Sequence, residues 1–191
     1  MDREPSPDTM PLPDTMPPSG AVPPPGTVPP PGTVPPPDNG PRLHVRLTTA
    51  ALDPEAVRAR VAGPAAGATV VMVGSTRGMT DGVETAALEY EAHVPLAERV
   101  LEGILAAAVA AHDLLGAAVE HRLGRVPVGV ASIVVATAAA HRRGAFAAAE
   151  WIVDQVKRTV PIWKCDEAPD GRRQWVHPGD LRGTADGRPD R

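Results

Sequence analysis

The chain has one cysteine among its 191 residues, which excludes an intramolecular disulfide framework and fits a reducing compartment. Aromatic residues are scarce as well: three Trp, one Tyr and one Phe. No cluster of basic residues interleaves with them, and the formal net charge is −4, which argues against a general nucleic-acid binder. Long apolar runs are missing. Outside the proline-rich N-terminal stretch, the longest uncharged run is Val126 to Ala140, 15 residues interrupted by Pro127 and Gly129. That falls short of the ~20 residues a bilayer-spanning helix needs. The N-terminus, Met1-Asp2-Arg3-Glu4-Pro5, has no basic n-region or apolar h-region, so no secretory signal is visible. His93, His112 and His177 lack metal-ligand spacing with one another or with Cys165. There is no phosphate-cradling glycine-rich loop and no nucleophile elbow. The expectation is a soluble, cytoplasmic protein of one ordinary domain with appendages.

Proline is abundant, and it is concentrated. Residues 1–41 hold 16 of the 24 prolines. Pro7-Asp8-Thr9-Met10-Pro11 recurs as Pro13-Asp14-Thr15-Met16-Pro17. A six-residue unit then runs three times: Gly20 to Pro25, Gly26 to Pro31 and Gly32 to Pro37. Polyproline II has three residues per turn, so a period of six keeps Val22, Val28 and Val34 on one edge. Such a segment cannot bury a core, and disorder is expected over residues 1–41 and again over 177–191. A partner that reads proline-rich ligands suits the valine edge. The simpler reading is a solubilising extension without chemistry.

The folded domain is expected over residues 42–176. His44-Val45-Arg46-Leu47-Thr48 alternates like a strand with one buried face. Asp53-Pro54 pairs a cap with proline at the first helical position and opens a short helix that stops near Gly63. Ala68 to Val73 is an apolar, β-branched run, Gly78 to Gly82 a loop, and Thr85 to Glu91 a return strand. Pro95 starts a long helix whose Leu96, Val100, Leu101, Ile104, Leu105 and Ala108 form one apolar stripe. Ala117 to Leu123 and Ala131 to Thr137 read as strands linked by Gly124 to Gly129. His141 to Lys157 reads as a second long helix, with Ala145, Phe146, Ala149, Ile152, Val153 and Val156 on its buried face. Arg172 to Val176 reads as a last strand. The order β-α-β-β-α-β-β-α-β predicts an α+β domain with a mixed or antiparallel sheet.

Two lysines stand seven residues apart across a helix end in Lys157-Arg158-Thr159-Val160-Pro161-Ile162-Trp163-Lys164. Pro161 removes a backbone donor and stops the helix, while Ile162 and Trp163 are bulky anchors for the following segment. Lys164 is then held instead of solvated, and two placed ammonium groups suit an anionic substrate. Alone, the octapeptide also fits an ordinary helix end whose lysines the macrodipole favours. Four blocks precede it: Val71-Met72-Val73-Gly74-Ser75-Thr76-Arg77; Leu88-Glu89-Tyr90-Glu91-Ala92; His121-Arg122-Leu123-Gly124 with Val128-Gly129; and His141-Arg142 with Ala145-Phe146. Glu89 and Glu91 look like paired carboxylates, although solvated or salt-bridged glutamates need no such role. His121-Arg122 reads as structural or interfacial.

In this order and spacing the five blocks resemble the large, catalytic subunit of molybdopterin synthase, the MoaE family, over about residues 43–176. The resemblance implies an α/β hammerhead fold, with a mixed or antiparallel sheet and two long helices. It implies a sulfurtransferase acting on cyclic pyranopterin monophosphate to form the molybdopterin dithiolene, without metal or cofactor. Sulfur arrives as a thiocarboxylate on the C-terminal Gly-Gly tail of a small ubiquitin-like, MoaD-like subunit. A homodimer of large subunits carries one small subunit at each end, making a heterotetramer.

Carried over residue by residue, Arg77 matches the arginine of the family's Gly-x-x-Arg block, with Ser75 and Thr76 beside it. His141 and Arg142 match its substrate-contacting pair. Lys157 and Lys164 match its two active-site lysines, with Cys165 and Asp166 adjoining. Arg77 and Arg142 suit the cyclic phosphate through paired donors. Sulfur transfer passes through a tetrahedral oxyanion that needs nearby positive charge, and opening the cyclic phosphate needs proton transfer. Lys157 is taken as the acid/base or covalent participant and Lys164 as its electrostatic partner, although the two roles are interchangeable on the sequence.

The chain also departs from the family pattern. Cys165 stands where a basic residue is usual, with Arg172 or Arg173 as possible replacements. Its thiol is either a group that intercepts sulfur or a tolerated small residue. Gly78-Met79-Thr80 replaces the polar His/Asn-type residues that often follow the arginine. A helix from His141 to Lys157 spans roughly 24 Å at ~1.5 Å per residue, more than one small pterin bridges. His141 and Arg142 of one chain are therefore expected to complete the pocket that holds Lys157 and Lys164 of another. The alternative from a different class is a non-catalytic adaptor that keeps the fold and docks a ubiquitin-like partner.

Overall fold

The computed structural model describes residues 40–80 and 82–176. The disorder expected of the two tails falls outside these residues, apart from Gly40 and Pro41. In chain order the elements are β1 (Arg42–Thr48), α1 (Pro54–Val61), β2 (Ala68–Ser75), β3 (Met79–Thr80), β4 (Val83–Glu84), β5 (Ala87–Ala92), α2 (Val94–His112), β6 (Leu114–Arg122), β7 (Gly124–Pro127), β8 (Ala131–Ala139), α3 (Arg142–Thr159), β9 (Ile162–Glu167) and β10 (Arg173–Val176).

The helix ends follow local chemistry. Asp53 Oδ1 accepts from Glu55 N at 2.9 Å and from Ala56 N at 3.3 Å, and Pro54 opens α1 without wasting a donor. α2 closes on Asp113, which takes the left-handed conformation at φ 51. α3 ends at Thr159. Val160 N still donates to Val156 O at 3.2 Å, and Pro161 prevents another turn.

The main sheet has the order β1-β6-β8-β2, with β1 parallel to β6 and the other pairs antiparallel. Both of its faces are covered. Val119 and Val135 point into a cluster with Leu101 and Leu105 of α2 and Ile152 and Val156 of α3. Their neighbours Ala118 and Val134 point the other way, onto Val57 and Val61 of α1. Two-sided burial is why β8 reads as a nearly continuous apolar run. Each fully buried Val or Leu contributes roughly 1.5–3 kcal/mol. Glu120 is buried but satisfied, with His44 Nε2 at 2.8 Å and Arg46 Nη2 at 2.7 Å, so its carboxylate ties β6 to the edge strand β1.

A second sheet, β10-β9-β5-β7, is antiparallel throughout. It meets the main sheet where Tyr90 of β5 packs edge-on against His121 of β6, ring centroids 4.8 Å apart. This sheet corrects several expectations. The segment Thr85 to Glu91 does contain a strand, but β5 pairs with β7 and β9, not with β2. The Gly124 to Gly129 link contains β7, and Met79–Thr80 pairs with Val83–Glu84 as a small β3–β4 hairpin where a loop was expected over Gly78 to Gly82. The residues after Pro161 form β9, in which Ile162 packs against the core while Trp163 is 38% exposed.

The helix faces need two corrections. On α2, Ala97 is buried where Leu96 was expected, because the line through Leu101, Ile104, Leu105 and Ala108 extends back to residue 97. On α3, Ala145, Ala148, Ala149, Ile152 and Val156 make the sheet-facing line, and Phe146 lies outside it, 63% exposed. Val100 and Val153 are only half-buried against the same core. Among the described residues no helix is long and apolar enough to cross a membrane.

Candidate functional site

The site candidates from β2 gather at its C-terminal end. A register shift between Gly74 and Ser75 precedes the last pair of the ladder with β8, Ser75 opposite Ala131. Ser75 and Arg77 are exposed, and Thr76 between them is buried. Thr76 Oγ1 donates to Val126 O at 3.2 Å, its N–H donates to Val130 O at 3.1 Å, and its carbonyl accepts from Gly129 N at 2.9 Å. Pro127 to Val130 is a turn closed by Val130 N to Pro127 O at 3.1 Å, and Gly129 holds the positive φ of 80 that such a turn requires. Thr76 thus spends its polar groups on a turn, leaving Ser75 and Arg77 to face solvent.

Lys157 stands exposed in the last turn of α3. Lys164 lies beyond the helix stop in β9, half-buried, with its Nζ 3.1 Å from Asp166 Oδ1. Alternation in the strand puts Lys164 and Asp166 on one face, opposite Tyr90 and Leu88. Burial pushes the Tyr90 phenol above its ordinary pKa, partly offset by a hydrogen bond with Ser132. Ser132 Oγ in turn donates to Gly74 O at 3.2 Å, which links the face carrying Lys164 to the residue before Ser75. His121 beneath Tyr90 is buried. Desolvation pushes its pKa down to about 4, and its Nδ1 donates to Arg122 O at 2.8 Å, so the ring is neutral near pH 7.

Cys165 points the other way. It is fully buried on the opposite face of β9, across from Glu89 and Trp175, and the structure does not bring it to the side of Lys164. Arg173 shares that face. Its hydrogen bond to Cys165 and the charge of Glu89 raise the guanidinium pKa, and it pairs with Glu89. Arg172 is paired with Asp170 at 2.6 Å on the surface. Glu89 is therefore a salt-bridge partner, and Glu91 is exposed.

His141 and Arg142 lie at the other end of α3. His141 is the N-cap residue with no side-chain capping bond, and both side chains are exposed. With Arg143 and Phe146 they line an open depression of ≈570 Å³. Arg143 and Phe146 were not expected here. The available signal was the helical spacing of Phe146 from Arg142 and Arg143, four and three residues on, but Phe146 reads as core on hydrophobicity alone. β8 runs from Ala131, opposite Ser75, to Ala139, opposite Ala68, and α3 then turns back along the sheet. Ser75, Arg77, Lys157 and Lys164 accordingly fall towards one end, and His141 and Arg142 lie at the other, the length of α3 putting His141 roughly 24 Å from Lys157.

This architecture defines a class: a two-sheet α+β protein that offers cationic side chains in two separated groups suited to small anions. The comparisons with known proteins narrow it. The model of the family described as "MoaE protein" matches residues 47–159. The molybdopterin synthase catalytic subunit of Aspergillus niger is 41% identical over 132 residues, covering 69% of this chain and 73% of that one. The corresponding subunit of Aspergillus fumigatus is 42% identical over 133 residues, covering 70% and 71%. Among solved structures, molybdopterin synthase from Staphylococcus aureus superposes with a TM-score of 0.65 at 30% identity, covering 69% of this chain and 95% of that one. The chain belongs to the MoaE family, that of the molybdopterin synthase catalytic subunits.

Proposed function

We propose that the chain transfers sulfur from the thiocarboxylated C-terminus of a small ubiquitin-like subunit to cyclic pyranopterin monophosphate, forming the dithiolene of molybdopterin. Family membership supports the reaction. The observation that carries the site is the placement of Arg77, Lys157 and Lys164 towards one end of the main sheet, with the Lys164 ammonium steadied by Asp166. In this reading Lys164 offsets the tetrahedral oxyanion at the thiocarboxylate carbon. Lys157, free of ion pairs with the described residues, moves the proton needed to open the cyclic phosphate. Arg77 grips the phosphate through paired donors, with Ser75 at the rim. Thr76 supports both by holding the turn, and Cys165 takes no part.

The separation of His141 and Arg142 from the lysines supports a site shared between two chains of a homodimer, each completing the other's pocket. Such a dimer, with a small subunit at each end, makes the heterotetramer. A cytoplasmic setting fits the single unpaired thiol.

The test supplies the purified chain with thiocarboxylated small subunit and cyclic pyranopterin monophosphate and measures the dithiolene product. Product formation that collapses in Lys157→Ala and Lys164→Ala is expected. A wild type that binds the small subunit yet forms no product would sink the enzyme reading and leave the adaptor in its place.

A further inference from the structure

Phe146 is the chain's single phenylalanine, and it is the most exposed of the large apolar side chains described. It adds nothing to the core, since the alanines of α3 make the sheet contact. Helical spacing sets it one turn after both Arg142 and Arg143, four and three residues on. All three line the same ≈570 Å³ depression with His141, a size usual for small-molecule sites. No carboxylate lines this depression, and neither Arg142 nor Arg143 pairs with a carboxylate of the described residues. The result is one flat apolar face beside two guanidinium forks.

We propose that Phe146 and Arg143 select the substrate. Phe146 stacks on the pterin ring of cyclic pyranopterin monophosphate, and Arg143 joins Arg142 on its cyclic phosphate. The inference rests on the function proposed above and deepens it by two residues. The match is chemical: a fused heterocycle offers a π-face to a phenyl ring, and a phosphate offers paired oxygens to arginine. A phosphate alone would need the guanidinium groups but not the exposed ring. A bare pterin would need the ring but not the second arginine. Only a ligand carrying both uses the whole depression.

The test compares the assembled synthase containing wild type, Phe146→Leu, Phe146→Tyr or Arg143→Gln. Losing the stack in Phe146→Leu should raise KM for the pterin about fivefold to tenfold, the scale of one aromatic contact, with kcat close to wild type. Phe146→Tyr keeps the ring and should restore the wild-type KM. Arg143→Gln should raise KM with kcat again preserved. Unchanged KM in both Phe146→Leu and Arg143→Gln would overturn the proposal. So would a Phe146→Leu enzyme that loses kcat together with its oligomeric mass in light scattering, because that marks a packing role.

Equilibrium dialysis of cyclic pyranopterin monophosphate against the same variants gives a reading independent of turnover. The same ranking of Kd is expected. A wild type that binds the pterin with this ranking but does not turn over defeats the enzyme reading and leaves the roles of Phe146 and Arg143 standing. A wild type that binds no pterin overturns both.

Discussion

Lys164 and Cys165 are neighbours in β9, yet they face opposite sides of the second sheet. One is held by Asp166 on the side of Tyr90, and the other is sealed between strands with no exposed surface. A buried thiol is poorly placed to intercept sulfur. Cys165→Ala should therefore retain sulfur-transfer activity, and the native thiol should react with a disulfide reagent only as the chain unfolds. Thiol labelling in native buffer and in urea checks this, and rapid native labelling would contradict it.

The alternation was hard to read beforehand because Ile162-Trp163-Lys164-Cys165-Asp166-Glu167 lacks a clean apolar period. His121 carries a second consequence. Its pKa of about 4 in the fold lies below the ordinary 6.5, so between these values the unfolded chain binds more protons. The contribution is complete above pH 6.5 and is lost as pH falls towards 4, on the order of 3 kcal/mol in all. Urea unfolding across that range should show the decline. His121→Asn, which can still donate to Arg122 O but cannot titrate, should flatten it.

Among the elements, the helices and the strands of the main sheet were legible, while in the second sheet β5 and β10 were legible as strands but β7, β9 and the pairing were not. Asp53-Pro54 and Pro161 are strong punctuation, and β8 is long and apolar enough to stand alone as a strand signal. β7, β9 and β10 are only 4–6 residues long and carry charges that pair across strands, such as Arg125 with Glu167 at 2.7 Å. Their order depends on partners distant in sequence, which no local period reveals. Placement of the α3 N-terminus depends on a close approach instead. A Cβ on Gly144 would lie 2.7 Å from the carbonyl oxygen of His112, so the backbone at the end of α2 would have to move. Gly144→Ala should cost about 1–3 kcal/mol in chemical denaturation. It should also raise KM for the pterin, because the same shift displaces Arg142 and Arg143. A stability equal to wild type would show that the helix ends are looser than this packing implies.

For the whole molecule, the decisive feature is the separation of His141 and Arg142 from the two lysines by the length of α3. Sequence made this legible as a helix length alone. The sheet register adds that Ser75 and Arg77 side with the lysines, something that residue spacing did not contain. The shared-site proposal then predicts complementation. A Lys157→Ala chain and an Arg142→Ala chain, each nearly inactive as a homodimer, should recover activity when mixed, because the mixed dimer holds one pocket with neither substitution. Titrating one variant into the other while measuring dithiolene formation checks it, and a flat response would contradict a divided pocket.

The turn of α3 back along β8 also determines how activity should respond to dilution. In the shared-site proposal each chain carries one half-site at each end, a donor at one and a recipient at the other. Separating two such chains would then remove both pockets at once. Specific activity should fall when the chain is diluted below its self-association constant and return on concentration. Enzyme supply in the cell would then scale more steeply than chain abundance, giving low expression a disproportionate effect.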